Sequence, residues 1–373
     1  MMHVGHVLDA AAGWEQRVAI AQLADRLPSD RFQVSVAAID PLPADWKRSL
    51  GLPVRLVPRR ARFSALAAPA LSRFLDAKRV DVVHAWGSHA AAAARAATAR
   101  PLVIELFDPV SAATGVKVLR SLARPRGFGI VCASEIVRRR LIEGGAPPES
   151  TVLIRPAVDF AQITRWRRGG VRDELGLSRS DRAIVVPEPI PHADGHIDTF
   201  LAAAMLNTLS GDLRMIVPGV GREQDRLAEL DRSLPIPQTL VRPGDRVPTE
   251  QLVAVSDVLV VAARGDVPTT EITWAMAAGV AVIGSAVYAV SEMLASRVNG
   301  LLFKQLPGKS MVTAIARLLQ DVDAQAMARE VARGQAYEVF GLRRFVEQHV
   351  RLYENVRAGR LPADGIADPA RSA

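Results

Sequence analysis

Short apolar, β-branched runs alternate with stretches of helical period along nearly the whole chain. VGHVL, FQVSVAAI, PVRLV, VDVVHAW, PLVIEL, IVCAS and TVLIR are the runs of the first half. Between them lie helical patterns at 14–27, around 65–77, through the alanine-rich segment to Ala99, near Lys117, and up to Glu143. Strands read as continuous apolar runs when both sheet faces are covered, so the alternation predicts a parallel sheet flanked by helices. The pattern then restarts with AIVVP, LRMIVPG, PQTLV, VLVVAA and VAVIG, separated by helices at 197–209, 224–234, 250–255 and up to Gly279. Two doubly wound α/β units in series are expected, and such sheets bind ligands beyond the carboxyl ends of their strands.

Between the two patterns, Arg165, Arg167, Arg168, Gly169 and Gly170 break the apolar period, so residues 160–173 read as a linker. The expected organisation is a first unit at 1–163, a second at 164–340, a helix at 341–357 packing back on the first unit, and a flexible tail at 358–373. With 373 residues, two cores are expected. Residues 272–291 carry no charge and are long enough to suggest a membrane span. Gly279 as a left-handed cap, the β-branched run after it and Gly284-Ser285 instead divide that stretch into helix, strand and helix start.

Composition narrows the function classes. Cys132 is alone, so no intrachain disulfide forms, and a cytoplasmic location is expected. The start, MMHVGHVLDAAAG, has no basic segment followed by a long apolar one, so no secretory signal is read there. The net charge of +8 is concentrated in residues 1–165, which hold 23 Lys+Arg against 14 Asp+Glu. That bias would attract anions, including the headgroups of an anionic membrane, and is equally what a solvated arginine-rich surface gives. No Walker loop, GxSxG elbow, HExxH or paired CxxC is present, and no basic-aromatic interleaving supports nucleic-acid binding.

Several segments in order then resemble family 4 glycosyltransferases of the GT-B fold: VDVVHAW at 80–86, VCASEIVRRRLIEGG at 131–145, VLIRPAVDF at 152–160, MIVPGVG at 215–221, LVAVSDVLVVAAR at 252–264, and WAMAAGVAVIGSAVYAVSEMLASRVNGLLF at 274–303. The resemblance implies two Rossmann-like domains facing a central cleft, an acceptor side first and a nucleotide-sugar donor side second. It implies sugar transfer from a nucleotide-activated donor with retention, without metal and without a cofactor beyond the nucleotide-sugar substrate. A leaving diphosphate must then be stabilised by cations, helix N-termini and backbone N–H groups.

Carried over position by position, the resemblance gives a depleted donor signature. The family's clamp arginine falls at Glu188 or Pro189 and its clamp lysine at Asp194, just before Gly195. Its first sugar-binding Glu falls at Asp266, and its second at Trp274, with Glu271 three residues earlier as a substitute ribose ligand or a surface helix acid. Gly219 and Gly221 form the nucleotide-facing turn, with Arg222 beside it, or an ordinary strand-to-helix turn. Arg264 is the best remaining cation for the diphosphate, or an ion-pair partner of Asp266. Glu292 matches a family Glu whose role is structural or functional. In the first unit His84 is either close to acceptor hydroxyls or a core histidine, while Trp86 replaces a second family histidine. Asp266 and His84 are thus the candidate catalytic residues; Gly195, Gly219, Gly221, Arg222, Arg264, Glu271 and Glu292 are the candidate donor-binding set. Three functions remain open: an active transferase with a rewired donor site, an inactive glycosyltransferase-like scaffold, and a related nucleotide-sugar epimerase.

Overall fold

The computed structural model describes residues 1–9, 14–42, 50–57, 64–107, 127–187, 195–235, 238–244, 246–265, 267, 269–304, 309–363 and 365–366. The chain divides into unit 1, Met1–Ala157 with Leu342–Ala373, and unit 2, Val158–Gly341.

Unit 1 holds strands β1 (Met2–Leu8), β2 (Phe32–Ala38), β3 (Val54–Leu56), β4 (Val82–Trp86), β5 (Leu102–Leu106), β6 (Phe128–Cys132) and β7 (Thr151–Leu153). They form one parallel sheet in the order β3-β2-β1-β4-β5-β6-β7. The interleaved helices are α1 (Trp14–Arg26), α2 (Ala68–Ala77), α3 (Ser88–Ala97) and α4 (Glu135–Glu143). One apolar core on each sheet face, one containing Val4, Val82, Val103 and Val131 and the other Val7, Val83, Ile104 and Ile130, explains the uninterrupted apolar strands. The basic helix expected near Lys117 lies outside the described residues.

Unit 2 begins with α5 (Phe160–Arg168) and the short α6 (Val171–Glu174). Its strands β8 (Arg182–Val185), β9 (Leu213–Pro218), β10 (Leu240–Gly244), β11 (Val258–Val261), β12 (Ala281–Ser285) and β13 (Leu301–Phe303) form a second parallel sheet, ordered β10-β9-β8-β11-β12-β13. Helices α7 (His196–Ser210), α8 (Arg222–Ser233), α9 (Thr249–Val255), α10 (Thr270–Ala278), α11 (Tyr288–Ser291), α12 (Lys309–Gln320) and α13 (Val322–Val339) complete it. The apolar stretch at 272–291 is indeed split among α10, β12 and α11. Gly279 closes α10 at φ 66°, and its N–H returns to the carbonyls of Ala275 and Met276. No helix among the described residues is long and apolar enough to cross a membrane.

Two local expectations differ from the structure. Much of the stretch read as a linker is helix α5, capped by Asp159, whose side chain accepts from Gln162 N–H at 3.0 Å. Its arginines hide a single apolar edge, on which Ile163 is buried and Trp166 meets Trp274 with ring centroids 5.6 Å apart. The tail is also docked further than expected. Pro362 is buried, Asn355 Nδ2 donates to its carbonyl at 3.3 Å, and Ile366 packs on the core.

Helix α14 (Leu342–Arg357) returns to unit 1 and buries Phe345, Val346, His349, Val350, Leu352, Tyr353 and Val356. Two glycines permit its approach. A Cβ on Gly127 (φ 74°) would lie 1.8 Å from the Val356 carbonyl oxygen, and one on Gly129 would lie 2.9 Å from Pro362 Cβ.

Candidate functional site

In unit 2 the strand order reverses between β8 and β11, so the chain leaves these neighbours in opposite directions and opens a crevice at their carboxyl ends. Helix α7 starts beside that point. Gly195, its N-cap, approaches β11 so closely that a Cβ would lie 2.8 Å from the Ala262 carbonyl oxygen. Next along the sheet, β9 turns into α8 through Gly219 (φ 74°) and Gly221 (φ 153°). Neither α7 nor α8 has a side-chain cap at its start, so neither helix fills its N-terminal amides with a residue at the cap.

The sequence-expected donor residues therefore gather in part. Gly195, Gly219, Gly221, Arg222 and Arg264 all follow the carboxyl ends of β8, β9 and β11. Arg222 is exposed in the first turn of α8. The glycine turn is also braced from within: Gln224 Nε2 donates to the Pro218 carbonyl at 2.9 Å. Arg264 pairs with Asp198, Nη2 to Oδ2 at 2.7 Å, in the first turn of α7. His196 Nε2 lies 2.8 Å from the Pro187 carbonyl, which can only accept, so this nitrogen carries a proton and is committed to the backbone.

Glu271 and Glu292 are placed differently. Glu271 is only 4 % exposed in the first turn of α10, which corrects its reading as a surface acid. Glu292 is half-buried and caps the end of α11. Trp274, standing where the family has its second Glu, is 1 % exposed and packs against Trp166. Asn299 is structural: its side chain accepts from Ala295 N–H and donates to the Met293 carbonyl and to Gln335. Asp266, Glu188, Pro189 and Asp194 lie outside the described residues.

His84 is not where an acceptor would meet it. It is fully buried in β4, Nδ1 lies 2.8 Å from Tyr353 Oη, and its ring stacks on Trp86 with centroids 4.3 Å apart. Trp86 Nε1 donates to His6 Nδ1 at 2.9 Å. Burial lowers the pKa of His84, an effect Glu105 only partly offsets, and burial followed by the neighbouring His84 and His349 lowers that of His6 further. Burial alone would raise Glu105, but His349 and His84 outweigh it and hold its carboxyl below the usual range. Cys132 is buried and its thiol is pushed up, which removes it as a nucleophile.

Sequence reasoning missed Asp198 and Asp9. Asp9 follows β1 and is buried; its Oδ2 accepts from Ala90 N–H at 3.2 Å and so caps α3. Neither sits in a motif, and only the fold brings each to its helix. A groove of about 940 Å³ at the β3 edge of unit 1 is lined by Leu52, Val54, Arg55, Arg73, Phe74 and Lys78 among others.

Comparison with known proteins agrees with this architecture. A model of glycosyltransferase family 4 matches residues 16–162, and one of glycosyl transferases group 1 matches residues 191–321. The chain belongs to the family 4, group 1 glycosyltransferases, with the GT-B fold. Anabaena HepE in complex with UDP and glucose superposes with a TM-score of 0.76 at 18% identity, covering 94% of this chain and 98% of that one. A glycosyltransferase from Rickettsia africae gives a TM-score of 0.75 at 15% identity, over 95% and 98% of the two chains. In sequence, the N-acetyl-alpha-D-glucosaminyl L-malate synthase of Bacillus anthracis is 24% identical over 186 residues, 50% of this chain and 49% of that enzyme. The match thus spans about half the length of that curated relative.

Proposed function

We propose that the protein transfers a sugar from a nucleotide-activated donor, with the donor diphosphate held at the carboxyl ends of β8, β9 and β11. The observation that carries this reading is the convergence there of two helix N-termini without side-chain caps, those of α7 and α8, with Arg264 alongside. Aligned N–H groups and the positive ends of helix dipoles favour an anion. They can take over part of the work of the clamp cations that the sequence lacks. As glycines, Gly195 and Gly219 set no Cβ of their own beside these amides.

Uridine diphosphate is the nucleotide this reading favours, because HepE, similar in fold, was crystallised with UDP and with UDP-glucose. Transfer is proposed to retain anomeric configuration and to require neither a divalent ion nor a cofactor. Asp266 remains the candidate for binding the donor sugar. The acceptor is proposed to be a glycan or lipid-linked molecule handled by unit 1, in the cytoplasm, with the cationic first half touching an anionic membrane surface.

A second reading, an inactive scaffold, is favoured by one specific pairing: Asp198 already neutralises Arg264, and Trp274 puts an indole where the family has a carboxylate. Calorimetric titration with UDP, GDP and ADP and their sugars separates the two. Micromolar binding that weakens in Asp266→Ala supports the transferase; no heat with any of them overturns it. For the membrane contact, the expected result is salt-sensitive binding of the full chain to anionic vesicles, and binding indifferent to lipid charge removes that partner.

A further inference from the structure

We propose that His84, Glu105 and His349 form a closed structural site for a zinc-type divalent ion that pins helix α14 to the sheet of unit 1. The three side chains come from β4, β5 and α14, are at most 1 % exposed, and bring one ligand atom each within 4.8 Å of the others.

The hydrogen-bond directions carry the argument. His349 Nδ1 lies 2.9 Å from the Phe345 carbonyl, which can only accept, so the proton sits on Nδ1. Its Nε2 then presents a lone pair to Glu105 Oε2 at 3.1 Å, an acceptor facing an acceptor. Either a proton, carried by His349 or by Glu105, or a metal ion must lie between them. His84 Nε2 is 3.0 Å from the same oxygen but too far out of line for a well-formed hydrogen bond, and Glu105 Oε1 has no partner among the described residues. A single proton would satisfy one contact and leave His84 Nε2 and Glu105 Oε1 both buried without a well-formed hydrogen bond, which is costly in a site closed to water.

One cation resolves all four atoms. Bound by Nε2 of both histidines and by both carboxylate oxygens, at the roughly 2.0–2.2 Å typical of zinc with nitrogen and oxygen ligands, it has four protein donors and needs no water. Imidazole and carboxylate together suit zinc among common biological divalent ions. The outer contacts also match: ligating histidines usually donate their other ring nitrogen to a carbonyl or another polar group, here the Phe345 carbonyl for His349 and Tyr353 Oη for His84. Spacing in the sequence hides the set, because His349 stands 244 residues from Glu105. The ion would enter as α14 docks during folding. It belongs to unit 1 alone, is closed to substrate, and does not depend on the donor-site reading.

The test uses full-length chain without a polyhistidine tag, refolded from urea with Zn²⁺, with Co²⁺ or with EDTA, then gel-filtered. Expected are about one zinc per chain by elemental analysis, a melting temperature several degrees above that of the EDTA sample, and visible absorption from low-symmetry Co²⁺. His349→Gln and Glu105→Gln should lose the metal while keeping their helical circular dichroism. Metal-free wild type after refolding with Zn²⁺, or equal zinc in wild type and His349→Gln, overturns the proposal. Should the variants fail to fold, wild-type protein refolded with Co²⁺ decides alone: absence of a visible band rejects the site.

Discussion

Arg264 Nη2 donates to Asp198 Oδ2 at 2.7 Å, tying the loop after β11 to the first turn of α7. The side chains are 57 % and 27 % exposed, so the pair contributes about 1 kcal/mol or less to stability. It leaves a guanidinium at the first turn of α7, where the proposed diphosphate would sit. Arg264→Ala should therefore leave the melting temperature nearly unchanged while lowering kcat/KM for the donor about 10- to 100-fold, the worth of one charge-assisted hydrogen bond. Asp198→Asn removes this carboxylate from the arginine and should tighten binding of the nucleoside diphosphate in titration calorimetry. Weaker binding in Asp198→Asn would show that the carboxylate positions the arginine.

Restoring the family's second glutamate should not restore function. Trp274 is buried against Trp166, so Trp274→Glu removes a large apolar side chain and buries a carboxylate against an indole. The expected cost is about 3–5 kcal/mol, measured by urea unfolding, with no gain in donor affinity. Trp274→Phe keeps the packing and should cost about 1–3 kcal/mol.

The docking of α14 depends on Gly127. Its φ of 74° and the Val356 carbonyl, 1.8 Å from where a Cβ would stand, both exclude alanine. Gly127→Ala should destabilise unit 1 by about 2 kcal/mol or more and speed amide exchange in α14 ahead of α7. Equal exchange in both helices would show that the clash is relieved elsewhere.

Acid should weaken unit 2 through Asp212. A bidentate pair with Arg182, at 3.0 Å from each nitrogen, outweighs burial and lowers the aspartate's pKa. Because the folded pKa lies below the unfolded value of about 3.9, the stabilisation is complete above that value. It fades as pH falls through the folded pKa. Unfolding free energies of wild type and Asp212→Asn from urea titration should differ at pH 7, by about 1 kcal/mol or less, and converge on acidification.

How much of this was legible in the chain can be judged from particular residues. Gly279 announced the end of α10 because only a left-handed cap needs glycine after Ala277-Ala278. VLVVAA announced a buried parallel strand because nothing polar interrupts its period. Glu105, a lone acid inside the apolar strand LVIEL, was a legible anomaly, yet its partners His84 and His349 come from other elements.

Local pattern by itself determined the alternation of strands and helices and the two-unit order, since these depend on periodicity and turn chemistry between near neighbours. Tertiary structure alone decided that His84 is sealed beneath α14, that Arg264 belongs to Asp198, and that Glu271 is buried. Burial and ion pairing are properties of surfaces brought together by folding. A residue's spacing along the chain says which face it occupies, and only the element packed on that face says whether water, a ligand or another side chain meets it.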